Sequence, residues 1–426
     1  MSTTKKRNEH HPHRGGLRGF GYFKRLGPGF VTGAADDDPA GIGTYSQIGA
    51  AFRFDLLWTA PLSLPLASAV QETAARLGLS TGRGLMRLIK DRFHPWVMWT
   101  ATVLVVGANV FNIGADLGSM ADAFRLLVPI PFAVLVIGMT AVILALEVFV
   151  SYERYAIVLR WLALSILAYV VELFVVDVDW SAVVAGLIPT FHASAASVEA
   201  LVAIFGTTIS PYLFVWQAGE EVEERKAKNI TRVDDRQIRA MRVDVLSGMS
   251  AGVLVMFAIM VTAGSTIGAK GSVQIQTADQ AAKALEPIAG SFSSALFALG
   301  IVGTGLLAIP TLAGSAAYAL SEAFGWKEGL GRSWKQAPGF YGVIAGAMLV
   351  GLLLNFLGIN PIRALFLSAI LNGLAAPPLI LLMLILSRTL PKEIQRGGRL
   401  STTLVAIALV VMTVAALAYL GTLIFA

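Results

Sequence analysis

About eleven apolar runs, each near the roughly 20 residues that a helix needs to cross a bilayer core, follow one another from Gly27 almost to the last residue. That succession constrains the fold more than any single motif. A segment in hydrocarbon has to satisfy its backbone hydrogen bonds within the protein, and a long apolar run does so as a helix. The runs lie near residues 27–51, 55–75, 96–122, 130–149, 156–176, 196–219, 243–268, 288–324, 338–354, 361–387 and 402–425. Composition agrees, since 56% of the 426 residues are hydrophobic and only 14% are charged, against about 25% charged in a soluble domain. The chain reads as an all-α polytopic membrane protein.

The basic residues test this map independently, because Lys and Arg collect in cytoplasmic connections. With residues 1–26 placed inside as a basic tail, only Arg53, Arg125, Lys270, Lys283 and Arg363 of the 33 Lys and Arg fall in external connections. Such segregation predicts an odd number of spans in the cytoplasmic (inner) membrane, with the N-terminus cytoplasmic and the C-terminus external. The tail has neither the apolar core nor the cleavage site of a secretory signal. Topology also accounts for the net charge of +6, so a nucleic-acid partner is not expected. Cysteine is absent, which excludes disulfides, thiolate metal sites and thiol catalysis.

Two runs are interrupted in the middle. The first breaks at Asp38-Pro39-Ala40-Gly41, the sixth, five runs later, at Ser210-Pro211. Two sets of five spans, each led by an interrupted helix, match the pattern of inverted-repeat secondary transporters. Because five is odd, the second set enters from the opposite side. The expected organisation is a tail (1–26), repeat 1 (27–178), repeat 2 (196–387) and an appended eleventh span (402–425).

Each break has a chemical consequence. A proline inside a helix removes one amide donor and frees the carbonyl four residues earlier, here that of Ala35 for Pro39 and that of Thr207 for Pro211. Carbonyl and carboxylate oxygens suit hard divalent cations, and Asp36, Asp37 and Asp38 supply negative charge beside the first break. Consecutive residues on a helix point about 100° apart, so one or two of the three can face a single ion. The alternative is that Asp38 simply caps a second half-helix that Pro39 opens. Capping leaves two further acids unexplained at a depth where an unpartnered charge costs several kcal/mol. Ser210-Pro211 can likewise be a plain kink, although its position matches the first break.

At these residues the chain resembles the NRAMP (natural resistance-associated macrophage protein) family of proton-coupled divalent metal importers, which have the LeuT-type fold. The family's DPGN motif, preceded by a GPG-like segment, is similar to LGPGFVTGAADDDPAG from Leu26 to Gly41. QETAARLGLSTGRGL, from Gln71 to Leu85, resembles the end of its second helix. FGTTISPYLF, from Phe205 to Phe214, aligns with its methionine-proline-histidine motif. The resemblance implies a 5+5 inverted repeat and alternating access by a bundle that contains the first and sixth helices. It implies Asp38 as the metal-binding carboxylate, Ala35 and Thr207 as carbonyl ligands, and Asp116 as the acid of the proton route. It also brings Asn372 of the tenth span towards the site.

Three departures from the family pattern bear on selectivity. Gly41 replaces the asparagine, Ser210 the methionine and Tyr212 the histidine. Methionine is a soft ligand that favours transition metals over Mg²⁺ and Ca²⁺. A hydroxyl at 210, with Asp37 and Asp36 added and Gly41 leaving room, makes a harder site, as in the magnesium-transporting relatives of the family. Without the histidine, Asp36, Asp37 and Asp116 are the candidates to carry protons. No resident cofactor is expected; a divalent ion is the substrate and H⁺ the candidate coupling ion.

Other polar residues have simpler readings. Asp116 lies at helical spacing from Asn109 and Asn112 and can serve a helix–helix contact. Glu72 and Glu147 near span ends read as interfacial, and GEEVEERKAKN (219–229) as a solvated helix end. His10, His11 and His13 sit in the polar tail. An intramembrane enzyme is not expected, because neither YD with GxGD, nor a DxxDG start, nor HExxH occurs. The remaining alternative is a LeuT-type symporter for a small organic solute. Three aspartates would repel its carboxylate and favour a cation instead.

Overall fold

A computed structural model describes residues 27–149, 170–171, 173–190, 194–271, 274–389 and 397–425. The basic tail and most of the fifth expected span fall outside them. The first run forms two half-helices, α1 (Pro28–Asp36) and α2 (Pro39–Phe52). Then come α3 (Thr59–Thr81), a short α4 (Leu85–Arg92), α5 (Pro95–Phe124) and α6 (Phe132–Phe149). After a short α7 (Trp180–Gly186), the sixth run again divides, into α8 (Ala195–Thr208) and α9 (Pro211–Ala227). The second set continues with α10 (Asp235–Thr266), α11 (Ser293–Phe324), α12 (Pro338–Leu354) and α13 (Pro361–Thr389), and α14 (Arg399–Phe425) is the appended span.

Among the described residues, seven helical stretches are long and apolar enough to cross a membrane. α1 and α2, 9 and 14 residues long, are each too short to count among them, and α3 carries buried Gln71, Glu72 and Arg76.

Both breaks have one design. Asp37 and Asp38 separate α1 from α2, and Ile209 and Ser210 separate α8 from α9. In each pair the second residue is extended (Asp38 φ −70°, ψ 172°; Ser210 φ −80°, ψ 139°), and a proline follows at the first helical position. Pro39 and Pro211 therefore start new helices where they need no amide proton; neither kinks a continuous one.

Glycine places α1 directly on α10. A Cβ on Gly33 would lie 2.2 Å from the Gly248 carbonyl carbon, and one on Gly248 2.3 Å from the Gly29 oxygen. Gly29 and Gly33 face Gly248 and Gly252, two small-residue pairs at a spacing of four that let backbones touch. The start of α1 is also held electrostatically, for Asp244 of α10 accepts from the Gly27 and Gly29 amides at 2.9 and 2.7 Å. A carboxylate at a helix N-terminus satisfies orphan donors and opposes the helix dipole.

The two ends of the bundle differ. At one end Gln47, Glu199, Gln276, Asn360 and Arg363 line a cavity of about 640 Å³. At the other, Glu223 of α9 accepts from the Leu330 and Gly331 amides at 2.7 and 3.1 Å and from the Tyr318 hydroxyl. Segment 219–229 is thus not a plain solvated face: Glu221 is buried, and the chain after α11 folds back to satisfy Glu223. Glu72, expected at an interface, is instead buried with Arg76, Arg242 and Ser401, at 3.2, 2.9 and 2.8 Å. That cluster ties α3 to α10 and to the appended α14.

Gly33→Ala and Gly248→Ala should each lower stability by about 1–3 kcal/mol or more, since a methyl group would meet rigid backbone. Gly346→Ala, where a Cβ meets nothing within 4 Å, should leave the unfolding midpoint in detergent essentially unchanged. Equal midpoints for the three variants would show that α1 and α10 do not depend on this contact.

Candidate metal site

Asp38 stands between the two breaks. Its Oδ1 accepts from the Gly41 amide at 2.6 Å, so the carboxylate does cap α2. Its Oδ2 points the other way and accepts from Asn112 Nδ2 of α5 at 3.0 Å and from the Tyr212 hydroxyl of α9 at 3.2 Å. Capping uses one oxygen and leaves the other facing the middle of the molecule. The two readings of Asp38 are therefore compatible in a single side chain.

The carbonyls at the breaks have hydroxyl partners. Tyr212 donates to the Ala35 oxygen at 2.9 Å. Ser210 lies within reach of two carbonyls, those of Gly206 and Thr207, at 2.7 and 2.8 Å. Tyr212 on the first turn of α9 thus donates to the end of α1, and Ser210, the residue of the break just before α9, reaches the end of α8. Gly41 contributes an amide and no oxygen; a Cβ there would press to 3.0 Å from the Asp36 carbonyl.

Asp36 and Asp37 turn towards α10, away from this group. Their Oδ2 atoms lie 3.3 and 3.7 Å from the point where a side chain on Gly252 would begin, with the Gly33 carbonyl 3.2 Å from the same point. Both are buried, and Oδ1 of each lacks a hydrogen-bond partner. Asp37 and Asp38 are not helical, so the even helical fan expected for three consecutive aspartates does not form.

Asp116 is wholly buried on α5, one turn beyond Asn112, and neither carboxylate oxygen has a partner. The oxygens of Asn109 and Asn112 are unpartnered too, while Asn109 Nδ2 donates to the Leu312 carbonyl at 3.1 Å. α5 thus carries a file of polar side chains, Asn109, Asn112 and Asp116, whose middle member bonds Asp38. Asn372 is buried on α13 with its oxygen unpartnered, but no bond joins it to the Asp38 group.

Sequence reasoning missed the bonds that hold the broken helices together. Tyr45 of α2 meets Thr208 of α8 at 3.0 Å. Thr32 of α1 meets Gln217 of α9 at 2.5 Å, and Gln217 donates to Glu221 at 3.1 Å. Tyr45 lies seven residues after Asp38, two helical turns along the same face, which was the available signal.

Among the described residues no group of three or more His, Cys, Asp or Glu could hold a metal ion. A cation in this region has to take backbone, hydroxyl and carboxylate oxygens, a hard donor set.

Two broken helices in inverted sets, with the Ala35 carbonyl and the Asp38 carboxylate of the first break joined through Tyr212 of the second helix pair, define an inverted-repeat membrane transporter of the LeuT type. The fold is similar to that of a manganese transporter of Eremococcus coleocola, with a TM-score of 0.77 at 18% identity over 94% of this chain and 87% of that one. Mhp1, a nucleobase-cation-symport-1 family transporter, matches with a TM-score of 0.55 at 11% identity over 92% and 90%. Residues 29–422 match the family described as natural resistance-associated macrophage protein-like, and the chain belongs to that family. Among curated relatives, the divalent metal cation transporter MntH of Pectobacterium carotovorum subsp. carotovorum is 27% identical over 396 residues, 89% of this chain and 91% of the relative. MntH of Caldanaerobacter subterraneus subsp. tengcongensis is 25% identical over 383 residues, 86% and 85% respectively.

The two roles of Asp38 can be separated. Asp38→Ala strands the Gly41 amide and Asn112 Nδ2 and should cost about 1–3 kcal/mol. Asp38→Asn keeps a capping oxygen and should cost under about 1 kcal/mol. Thermal unfolding in detergent reads the difference; equal losses would mean that the cap does not hold α2.

Proposed function

We propose that this protein carries divalent metal cations across the cytoplasmic membrane by alternating access, with the ion held between the two helix breaks. The observation that carries the reading is Asp38 Oδ2, buried and turned towards the Ala35 carbonyl through Tyr212, at the meeting point of both breaks. Isolated negative charge at this depth is costly, and a divalent cation is the species that compensates it. The names of the MntH relatives and the family membership support the same class of substrate. The bacterial relatives and the distribution of Lys and Arg support the inner membrane with the N-terminus cytoplasmic.

In this reading Asp38, Ala35 and Thr207 are the ligands, and Ser210 sets the hardness of the site. Gly41 orients Asp38 through its amide. Asp37 reaches the ion only after turning from α10, so its part belongs to a different conformation from the one described. Asp116 and Asp36 are the proton carriers, and Asn372 joins from α13 as the broken helices move.

Flux of Mn²⁺, Mg²⁺ and Ca²⁺ into proteoliposomes loaded with a pH dye tests the proposal. Asp38→Asn should reduce flux by tenfold or more, as expected for loss of the one charged ligand. Unchanged flux would refute the site. Asp116→Asn should abolish ion-driven pH change more than it reduces ion flux; equal loss of both would remove Asp116 from the proton route. Ser210→Met should lower Mg²⁺ transport relative to Mn²⁺ and Cd²⁺ by several-fold, because thioether sulfur is a poor ligand for Mg²⁺. An unaltered Mg²⁺ to Mn²⁺ ratio would show that position 210 does not set selectivity.

A further inference from the structure

Tyr212 does something in this chain that neither its ring nor its place in the motif demands. The side chain is 1% exposed on the first turn of α9, and its hydroxyl lies 2.9 Å from the Ala35 carbonyl oxygen and 3.2 Å from Asp38 Oδ2. A phenol has one proton to donate. The carbonyl is an acceptor only, and so is the ionised carboxylate. One proton is therefore shared between two oxygens, neither of which is fully satisfied by it.

We infer that the Tyr212 hydroxyl is a built-in competitor for the transported cation, bridging the same carbonyl and carboxylate oxygens that the ion has to bridge. The inference rests on the reading of Ala35 and Asp38 as ligands. A hard divalent cation takes oxygens at about 2.0–2.6 Å, and on these two oxygens its charge repels the hydroxyl proton that points at them, so the ion and the hydrogen bonds compete for the same atoms. Binding then requires the hydroxyl to swing out of the bridge. The apparent affinity falls in proportion to the fraction of time that the bridge is open.

The competitor also helps release. An ion leaving the two oxygens would otherwise strand the Ala35 carbonyl and leave Asp38 Oδ2 with Asn112 alone in a buried setting, where a missing partner is costly. The returning hydroxyl supplies that partner. Tyr212 thus trades affinity for turnover, which suits a carrier that must let its cargo go. Ser210 plays a similar part at Thr207, but it also reaches Gly206 in the same last turn of α8 and so has an alternative acceptor.

Tyr212→Phe removes the hydroxyl and keeps the ring; Tyr212→Leu removes both and guards against an effect peculiar to phenylalanine. Mn²⁺ binding is measured by calorimetry on the purified full chain, and Mn²⁺ flux in proteoliposomes, with the parent and Asp38→Asn alongside. Both Tyr212 variants should bind Mn²⁺ about tenfold more tightly, the scale of one hydrogen bond to a charged group, and their maximal flux should fall. Unchanged or weaker Mn²⁺ binding in the Tyr212 variants, with a parent that binds and an Asp38→Asn that does not, would overturn the inference and leave the site standing. A parent that fails to bind Mn²⁺, or an Asp38→Asn that binds as well as the parent, would overturn the site and the inference with it.

Discussion

One carboxylate joins the two halves of the membrane core. Asp38 ends the first break with Oδ1 on the Gly41 amide and presents Oδ2 to Asn112 of α5 and Tyr212 of α9. Those contacts reach the second break and a long continuous helix from a single side chain. Without the cap, α2 loses its starting point; without Oδ2, the two breaks lose the charge that lies between them. The same residue therefore carries a structural and a chemical burden, and its conservative and drastic substitutions are expected to part company.

Around this point the packing lets the first half-helix be both close and separable. α1 touches α10 through glycines, and its amide end is held by Asp244, so much of its attachment is backbone proximity and one charged cap. Such a contact has few interlocking side chains to undo. Beyond the site, Tyr45 and Thr208 join α2 to α8, and Thr32 and Gln217 join α1 to α9. The broken helices are thus laced to each other above and below the breaks, as a unit that moves together requires. At the end with Glu223, bonds to Tyr318 and the 330–331 amides join α9 to α11 and the segment after it. Opening towards that end has to part those bonds.

Much of this was legible in the sequence because a membrane leaves few choices. Apolar runs give spans, and a proline beside an acid or serine in mid-run gives a break, since backbone cannot be left bare in hydrocarbon. The resemblance at DDDPAG and ISPY then named Ala35 and Thr207, the carbonyls that the proline argument had reached separately. What escaped was who satisfies them. Tyr212 and Ala35 are 177 residues apart, and nothing local in either segment says that they meet. The directions of Asp36 and Asp37 escaped for another reason: the chain leaves the helix after Asp36, so helical spacing no longer applies. Glu72 read as interfacial and Glu223 as solvated because their partners on α10, α14 and the segment after α11 are supplied by tertiary folding.

In the proposed site a divalent ion sits between the two breaks on Asp38. Anomalous diffraction from crystals of the full chain grown with Mn²⁺ measures that position directly. The account predicts a peak within about 2.6 Å of Asp38 Oδ2 and of the Ala35 carbonyl oxygen, with the Tyr212 hydroxyl turned out of the bridge. A peak instead between Asp36, Asp37 and Gly252 of α10, with Tyr212 still bonded to Ala35, would contradict it.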